Sequence, residues 1–282
     1  MTLAVPGLHH ITAICGDPQA NLDFYAGTLG QRLVKRTVNF DDPRTYHLYY
    51  GDRDGRPGTI LTFFPFADAR PGRPGPGLAT TFSYAVPTLD GLEGERGTWM
   101  GEEQITIVDP DGMEVSFVAG GDGSFHAVRM VVRDAAPTRA VLELMGYVEH
   151  ASDRAAVRLK ASGERAPFVD LVEDPDGAAG RSGTGTIHHV AFRAETAQDQ
   201  KAWQGKLRDA GFEVTPVIDR QYFDAIYFRE PGGILFEIAT DPPGFAVDEP
   251  VETMGEKLML PERYEPMRAR IEAALPPLNV PT

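Results

Sequence analysis

Apolar and polar positions first follow a strand-like pattern along LHHITAI, and then the period lengthens. Asp17-Pro18 supplies an N-cap and a first helical residue. Leu22, Tyr25, Ala26 and Leu29 fall at i, i+3, i+4 and i+7, and Gly30 stops the run. Two strand-like stretches follow, TYHLYYGD and GTILTFFPF, joined by the turn RDGRPG. The unit therefore reads strand, helix, strands, and it closes in the Gly/Pro-rich loop from Arg70 to Gly77.

That order returns three more times. TTFSYAVP opens a second unit ending in ITIVDPDGMEVSFVAG, with a middle, LDGLEGERGTWMG, too short for a full helix. FHAVRMVVRD opens a third, where Ala140, Val141, Leu144 and Met145 form a helical stripe stopped by Gly146. IHHVAFRAE opens a fourth, with Trp203, Leu207 and Ala210 on a helix ended by Gly211. It finishes in two alternating strands, YFDAIYFREPGGILFEIAT, around Glu230-Pro231-Gly232-Gly233. Residues 174–185 (DPDGAAGRSGTG) read as a flexible link. The predicted fold class is α+β, with four βαβββ modules paired into two domains of curved, open mixed sheets. By order along the chain these domains are residues 1–120 (modules 1 and 2) and 121–245 (modules 3 and 4). A tail, 246–282, carries a short amphipathic helix from Pro261 to Leu275.

Modules 2 and 4 end in an alignable hairpin. DPDGMEVSF lies over EPGGILFEI, matching Asp109 to Glu230 and Gly112 to Gly233, and Ser116 then falls on Glu237. A carboxylate kept in one repeat only reads as a site, not as a demand of the fold. Two His-His pairs, His9-His10 and His188-His189, open modules 1 and 4. A lone histidine on a strand is ordinarily a satisfied core or edge side chain. Here two pairs occupy equivalent repeat positions, and Glu237 lies inside the apolar run ILFEIA, where a carboxylate is costly unless paired or metal-bound. Alternation puts His10 with Leu8, Thr12 and Ile14, and His189 with Ile187 and Ala191. His10, His189 and Glu237 make a 2-His-1-carboxylate set, the facial triad of non-haem Fe(II) oxygenases.

Composition narrows the partners. A net charge of −14 and a pI near 4.9 disfavour phosphate backbones and anionic membranes, so neither nucleic acid nor membrane is an expected partner. No run approaches the ~18 apolar residues of a membrane span, and MTLAVPGLHHITAIC lacks a basic stretch before its apolar residues. The single cysteine, Cys15, excludes an internal disulfide and fits a reducing cytoplasm, the expected location.

The repeats and strand-borne ligands resemble the vicinal oxygen chelate superfamily of glyoxalase I, bleomycin resistance proteins and extradiol dioxygenases. More narrowly, the chain is similar to four-module ring-cleaving dioxygenases that act on hydroquinones. GLHHITAICGDPQANLDFYAGTLGQRLVKRTVNFDDP, GTIHHVAF, DRQYFDAIYFREPGGILFEIATDPPGF, GEKLMLP and ALPPL carry this resemblance across essentially the whole chain. It implies iron held by His10, His189 and Glu237, with Fe(II) as cofactor and Mn(II) or another divalent ion as a substitute. It further implies catalytic or orienting roles for His9, Thr12, His188, Arg220 and Tyr227. His188 would serve as hydrogen-bond donor or acid/base with a near-neutral pKa, and Arg220 and Tyr227 would hold the substrate. Plainer readings stand beside these. Arg220 could instead be a surface cation near Asp219 and Asp224 and Tyr227 an ordinary strand aromatic, though the functional reading is favoured for both, while Thr12 reads equally as a good β-former. Strict alternation also turns His9 and His188 away from the metal, so their placement requires a twist or bulge.

The implied reaction inserts O2 into a dihydroxylated aromatic ring, possible substituents including chlorine. The implied partners are thus a small aromatic substrate and O2, and superfamily members often form homodimers. Two rivals stay within enzymes: a catechol extradiol dioxygenase, and a glyoxalase-type isomerase, which needs a second carboxylate where module 1 has TILTFFPF. A third is a metal-free binding protein of the resistance type. His47 and His126 read as structural or surface and His150 as exposed. Phe63, Phe64, Phe82, Tyr84 and Phe223 read as core or pocket wall.

Overall fold

The computed structural model describes residues 3–154 and 156–280, so the outermost residues of the expected first domain and tail lie outside it. Module 1 comprises β1 (Leu8–Cys15), α1 (Pro18–Leu22), β2 (Arg32–Val38), β3 (Tyr46–Gly51) and β4 (Ile60–Pro65). Asp17 caps α1 by accepting from the Gln19 and Ala20 amides, and the helix widens into a π turn over Asp23–Thr28. Module 2 has β5 (Leu78–Val86), β6 (Glu95–Trp99), β7 (Glu102–Val108) and β8 (Glu114–Ala119), with turns in place of a crossover helix. Module 3 has β9 (Phe125–Val132), α2 (Ala135–Leu144), β10 (Val148–Asp153), β11 (Ala156–Lys160) and β12 (Phe168–Glu173). Module 4 has β13 (Thr186–Ala194), α3 (Ala197–Asp209), β14 (Ile218–Asp219), β15 (Phe223–Arg229) and β16 (Leu235–Pro243). Gly146 and Gly211, at φ 96° and 91°, end α2 and α3 in the left-handed turn that glycine permits. In the tail, a 3-10 turn at Glu262–Met267 leads into α4 (Arg268–Ala274).

The strands form two mixed eight-stranded sheets, ordered β14-β15-β16-β13-β1-β4-β3-β2 and β10-β11-β12-β9-β5-β8-β7-β6. Modules 1 and 4 therefore build one sheet, and modules 2 and 3 the other. This corrects the division at residue 120, since each half of the chain contributes to both sheets. The physical reason is the central rung of each sheet. The first strands of modules 1 and 4 pair antiparallel, as do those of modules 2 and 3, and all four contribute buried apolar side chains to one core.

A second correction concerns residues 174–185. They run alongside the loop from Arg70 to Gly77 and bond to it: the Gly72 amide donates to the Thr184 carbonyl, and Arg73 and Arg181 exchange both backbone bonds. The two inter-module connectors thus satisfy one another and need no regular structure.

The aligned hairpins of modules 2 and 4 are the same turn. Asp109 accepts from the Asp111 and Met113 amides, and Glu230 from the Gly232 and Ile234 amides. Each buried carboxylate also receives a hydroxyl from the helical segment of the preceding module, Tyr25 on Asp109 and Thr138 on Glu230. Sheets tie module 1 to 4 and 2 to 3, while these hydroxyls tie 1 to 2 and 3 to 4.

Candidate metal centre

Central strands β1 and β13 each carry one His-His pair. Their register sets His10 opposite Ala191 and Thr12 opposite His189, with irregularities between Leu8 and His10 and between Thr12 and Ala13. On the far side of β13, Glu237 of β16 neighbours Ala191. His10, His189 and Glu237 thus converge from three adjacent strands, one ligand atom of each within 4.8 Å of the others. The two Nε2 atoms are 3.4 Å apart. They stand 3.4 Å (His10) and 2.9 Å (His189) from Glu237 Oε2.

Those short distances are not hydrogen bonds from histidine to carboxylate. Glu237 is 0% exposed, and neither of its oxygens has an aligned donor among the described residues. An ionised carboxylate left so is expensive. Desolvation pushes the Glu237 pKa up, but His10 and His189 outweigh it and hold the group well below the usual carboxylate range. Two imidazole nitrogens and an orphaned carboxylate facing a common point form a donor set that fits a divalent cation.

The neighbouring histidines orient the ligands. His9 Nδ1 lies 2.9 Å from His10 Nδ1, and His188 Nδ1 lies 2.8 Å from His189 Nδ1. In each pair one nitrogen donates and the other accepts. Donation from His10 and His189 leaves their Nε2 lone pairs free for a metal. The strand irregularity beside His9 is the departure from alternation that this contact requires. Burial, with His10 adding to it, draws the His9 pKa down to about 3. The cavity walls and His189 draw His188 down to about 4 even though its side chain is exposed, so it is neutral at pH 7 and titrates below the near-neutral range that the resemblance implied.

A cavity of about 280 Å³ opens on the triad. Its polar wall carries Thr12, His188, Arg220 and Tyr227, and its apolar wall Phe64, Phe66, Phe223 and Leu235. Arg220 Nε donates to the Tyr227 hydroxyl at 3.1 Å, and Nη1 to Asp41 at 3.1 Å. Burial alone would lower the Arg220 pKa, but Tyr227 and Asp41 raise it, so the guanidinium stays charged. Of the eight residues singled out in the sequence, six line the cavity: His10, Thr12, His188, His189, Arg220 and Tyr227. Glu237 is buried among the strands, and His9 sits behind His10 against Phe223, their rings 5.3 Å apart.

The sequence reading missed His47. It is buried, lines the cavity, and bonds Thr62 and Tyr49 through its two nitrogens, both at 2.8 Å. Period-two alternation sets His47 and Tyr49 on one face of β3, but nothing in the sequence marks which face that is. His126 lies in the other sheet against Glu102, and His150 is exposed. Phe64 and Phe223 are cavity wall, whereas Phe63, Phe82 and Tyr84 are core.

The second sheet has equivalent rungs and different chemistry. Thr81 pairs with Arg129 as His10 pairs with Ala191, Ser83 pairs with Ala127 as Thr12 pairs with His189, and Asp170 takes the place of Glu237. Arg158 and the Trp99 indole bind Asp170 directly, and the cleft there shrinks to about 10 Å³.

Comparison with known proteins shows the family and the fold. The profile of the Glyoxalase/Bleomycin resistance protein/Dioxygenase superfamily matches residues 7–238. The chain is 45% identical to "Putative ring-cleaving dioxygenase MhqO" of Bacillus subtilis (strain 168), over 97% of each chain. It is 31% identical to the chlorohydroquinone/hydroquinone 1,2-dioxygenase of Sphingobium indicum, over 93% of each. Among solved structures, the "putative dioxygenase from Bacillus subtilis subsp. subtilis str. 168" superimposes with a TM-score of 0.94 at 44% identity, covering 99% of both chains. Glyoxalase I from Zea mays shares the fold at a TM-score of 0.64 and 15% identity, covering 83% of this chain and 92% of that one.

Proposed function

The chain belongs to the glyoxalase/bleomycin resistance protein/dioxygenase superfamily, and from that premise we propose that it is an Fe(II)-dependent dioxygenase opening the ring of a hydroquinone-type aromatic with O2. One observation carries this reading: three protein ligand atoms, with no fourth among the described residues, converge beneath a cavity of about 280 Å³ that has room for an aromatic ring. Thr62 occupies the rung that mirrors Glu237, since it faces Thr12 on β1 as Glu237 faces Ala191 on β13. A threonine there disfavours a four-ligand isomerase site. The cavity lies at the small end of ligand pockets, which span roughly 300–1,000 Å³.

His10, His189 and Glu237 would hold the metal, which when bound would stabilise a phenolate and couple ring and O2 electronically. His9 would fix the His10 ring, and His188 the His189 ring, through their Nδ1 contacts. Arg220 and the protonated Tyr227 would bind a substrate oxygen, with Asp41 anchoring the guanidinium. His188 would hydrogen-bond oxygen atoms on the open side of the site. Phe64, Phe66 and Leu235 would pack on the ring and exclude water.

Loading under argon tests the ligand set. Wild-type protein should keep one Fe(II) per chain through desalting, and Glu237→Gln should keep none and consume no O2 with hydroquinone. Wild-type iron and turnover in Glu237→Gln would overturn the assignment.

A further inference from the structure

The loop from Asn39 to Thr45, which joins β2 to β3, supplies three residues to the cavity: Asn39, Phe40 and Asp41. The tail holds the tip of this loop. The Tyr264 hydroxyl donates to the Phe40 carbonyl at 2.7 Å, and the Arg263 guanidinium lies over the Phe40 ring, 5.6 Å from its centre. We propose that Tyr264, 224 residues along the chain from Phe40, is a positioning residue for the site, fixing the peptide unit that presents Asp41 to Arg220. The inference rests on the dioxygenase reading in taking a substrate oxygen to sit on Arg220.

Exposure decides which contact holds which. The Asp41 side chain is 74% exposed, and its ion pair with Arg220 is open to water. Such a pair gains little and does not hold a loop in place. Asp41 must therefore be brought to Arg220 by its own backbone. The Phe40 carbonyl and the Asp41 amide belong to one planar peptide unit. The amide donates to Asn39 Oδ1 at 2.9 Å and the carbonyl accepts from Tyr264, so the unit is held at both ends. Arg263 Nη2 reaches the same carbonyl only at 3.4 Å. Bonds inside the loop, from the Asp42 amide to the Asn39 carbonyl and from the Thr45 amide to the Asp42 carbonyl, fold it but attach it to nothing else. The Phe40 ring, 6% exposed, anchors the tip at one point, and a single point leaves the peptide unit free to rotate.

The tail is a fixed reference because it is itself attached to β2. Leu258 bridges Arg36, the Met259 amide donates to the Arg36 carbonyl at 2.9 Å, and Leu260 and Pro261 are buried just before the turn that carries Tyr264. At the other end of the path, Arg220 is committed to Tyr227 through Nε and to Asp41 through Nη1. Two contacts fix the plane of the guanidinium, and losing Asp41 frees it to turn about the Tyr227 bond.

The test measures hydroquinone binding to the Fe(II)-loaded protein by calorimetry under argon, where there is no O2 to consume it. Tyr264→Phe, which removes one oxygen, should keep one Fe(II) per chain and raise Kd about fivefold, the loss of one neutral hydrogen bond. Asp41→Asn should raise Kd at least as much. Adding Tyr264→Phe to Asp41→Asn should then change Kd by less than about twofold, because both act on one path. Tyr46→Phe is the control. Its hydroxyl donates to the Pro276 carbonyl at 3.0 Å, joining the same hairpin to the tail without lining the cavity, so its Kd should match the wild type. Unchanged Kd in Tyr264→Phe would overturn the proposal. Equal rises in Tyr264→Phe and Tyr46→Phe, or effects of Tyr264→Phe and Asp41→Asn that multiply, would also overturn it. O2 uptake with hydroquinone is read separately. A fivefold rise without uptake would refute the dioxygenase and leave the role of Tyr264 standing, and uptake with unchanged Kd would do the reverse. Failure of the wild type to bind hydroquinone would overturn both.

Discussion

Glu237 sits between Phe236 and Ile238 with both carboxylate oxygens unmatched, a position that apolar packing would never select. It was legible in the sequence because an acid inside ILFEIA has no other rationale, and because the aligned repeat has Ser116 there. His47 was not legible, since its partners Thr62 and Tyr49 assemble only when β3 and β4 pair. Burial of neutral histidines also sets a pH dependence. With a folded pKa of about 3 for His9 against 6.5 unfolded, the unfolded chain binds more protons between those values. Stability of the metal-free protein is therefore complete above pH ~6.5 and falls as pH drops toward ~3, by on the order of 4 kcal/mol from His9 alone. His47, also depressed by burial, acts in the same direction. The depressed Glu237 contributes stability present above about pH 4.5 and lost at lower pH. Thermal melts of metal-free protein should show a Tm declining steadily from pH 7 to 5; a flat profile would contradict the buried neutral imidazoles.

Helices, turns and the tail were read with uneven success for local reasons. Asp17, Gly146 and Gly211 act through their own neighbours, so the start and stops they mark were visible in the sequence. The attachment of the tail was not, because it depends on a lysine in the middle of a strand. Lys35 of β2 is 0% exposed and bonds Asp248 and Glu249, each at 2.6 Å, while Tyr222 donates to Asp248. This pins the chain beyond β16 to the far strand of the same sheet, behind the aromatic wall formed by Tyr49, Tyr222 and Phe245. Lys35→Met leaves two carboxylates without their cation and should cost about 3–5 kcal/mol in urea unfolding. Unchanged stability would show that the tail's other contacts, such as the hydrogen bonds of Arg36 to the Glu256 carbonyl and of Tyr264 to the Phe40 carbonyl, hold it without the lysine.

At the scale of the molecule, fold class and repeat count were readable from periodicity, but the pairing of modules was not read correctly. Adjacent repeats are the natural guess for one domain. Yet the triad itself held the answer, because His10 and His189 can share a metal only if their strands are neighbours. The observed order, with β1 beside β13, places modules 1 and 4 in one sheet and leaves modules 2 and 3 to close the other around Arg158 and Asp170. One sheet thus keeps an open donor set and the other fills its own with an ion pair. The most direct measurement on the whole protein is O2 consumption after anaerobic Fe(II) loading, with hydroquinone and catechol offered in parallel and products identified by mass spectrometry. Uptake with hydroquinone and a ring-opened acid carrying both oxygen atoms of O2 is the predicted result. No uptake with hydroquinone by protein that holds one iron per chain would contradict it.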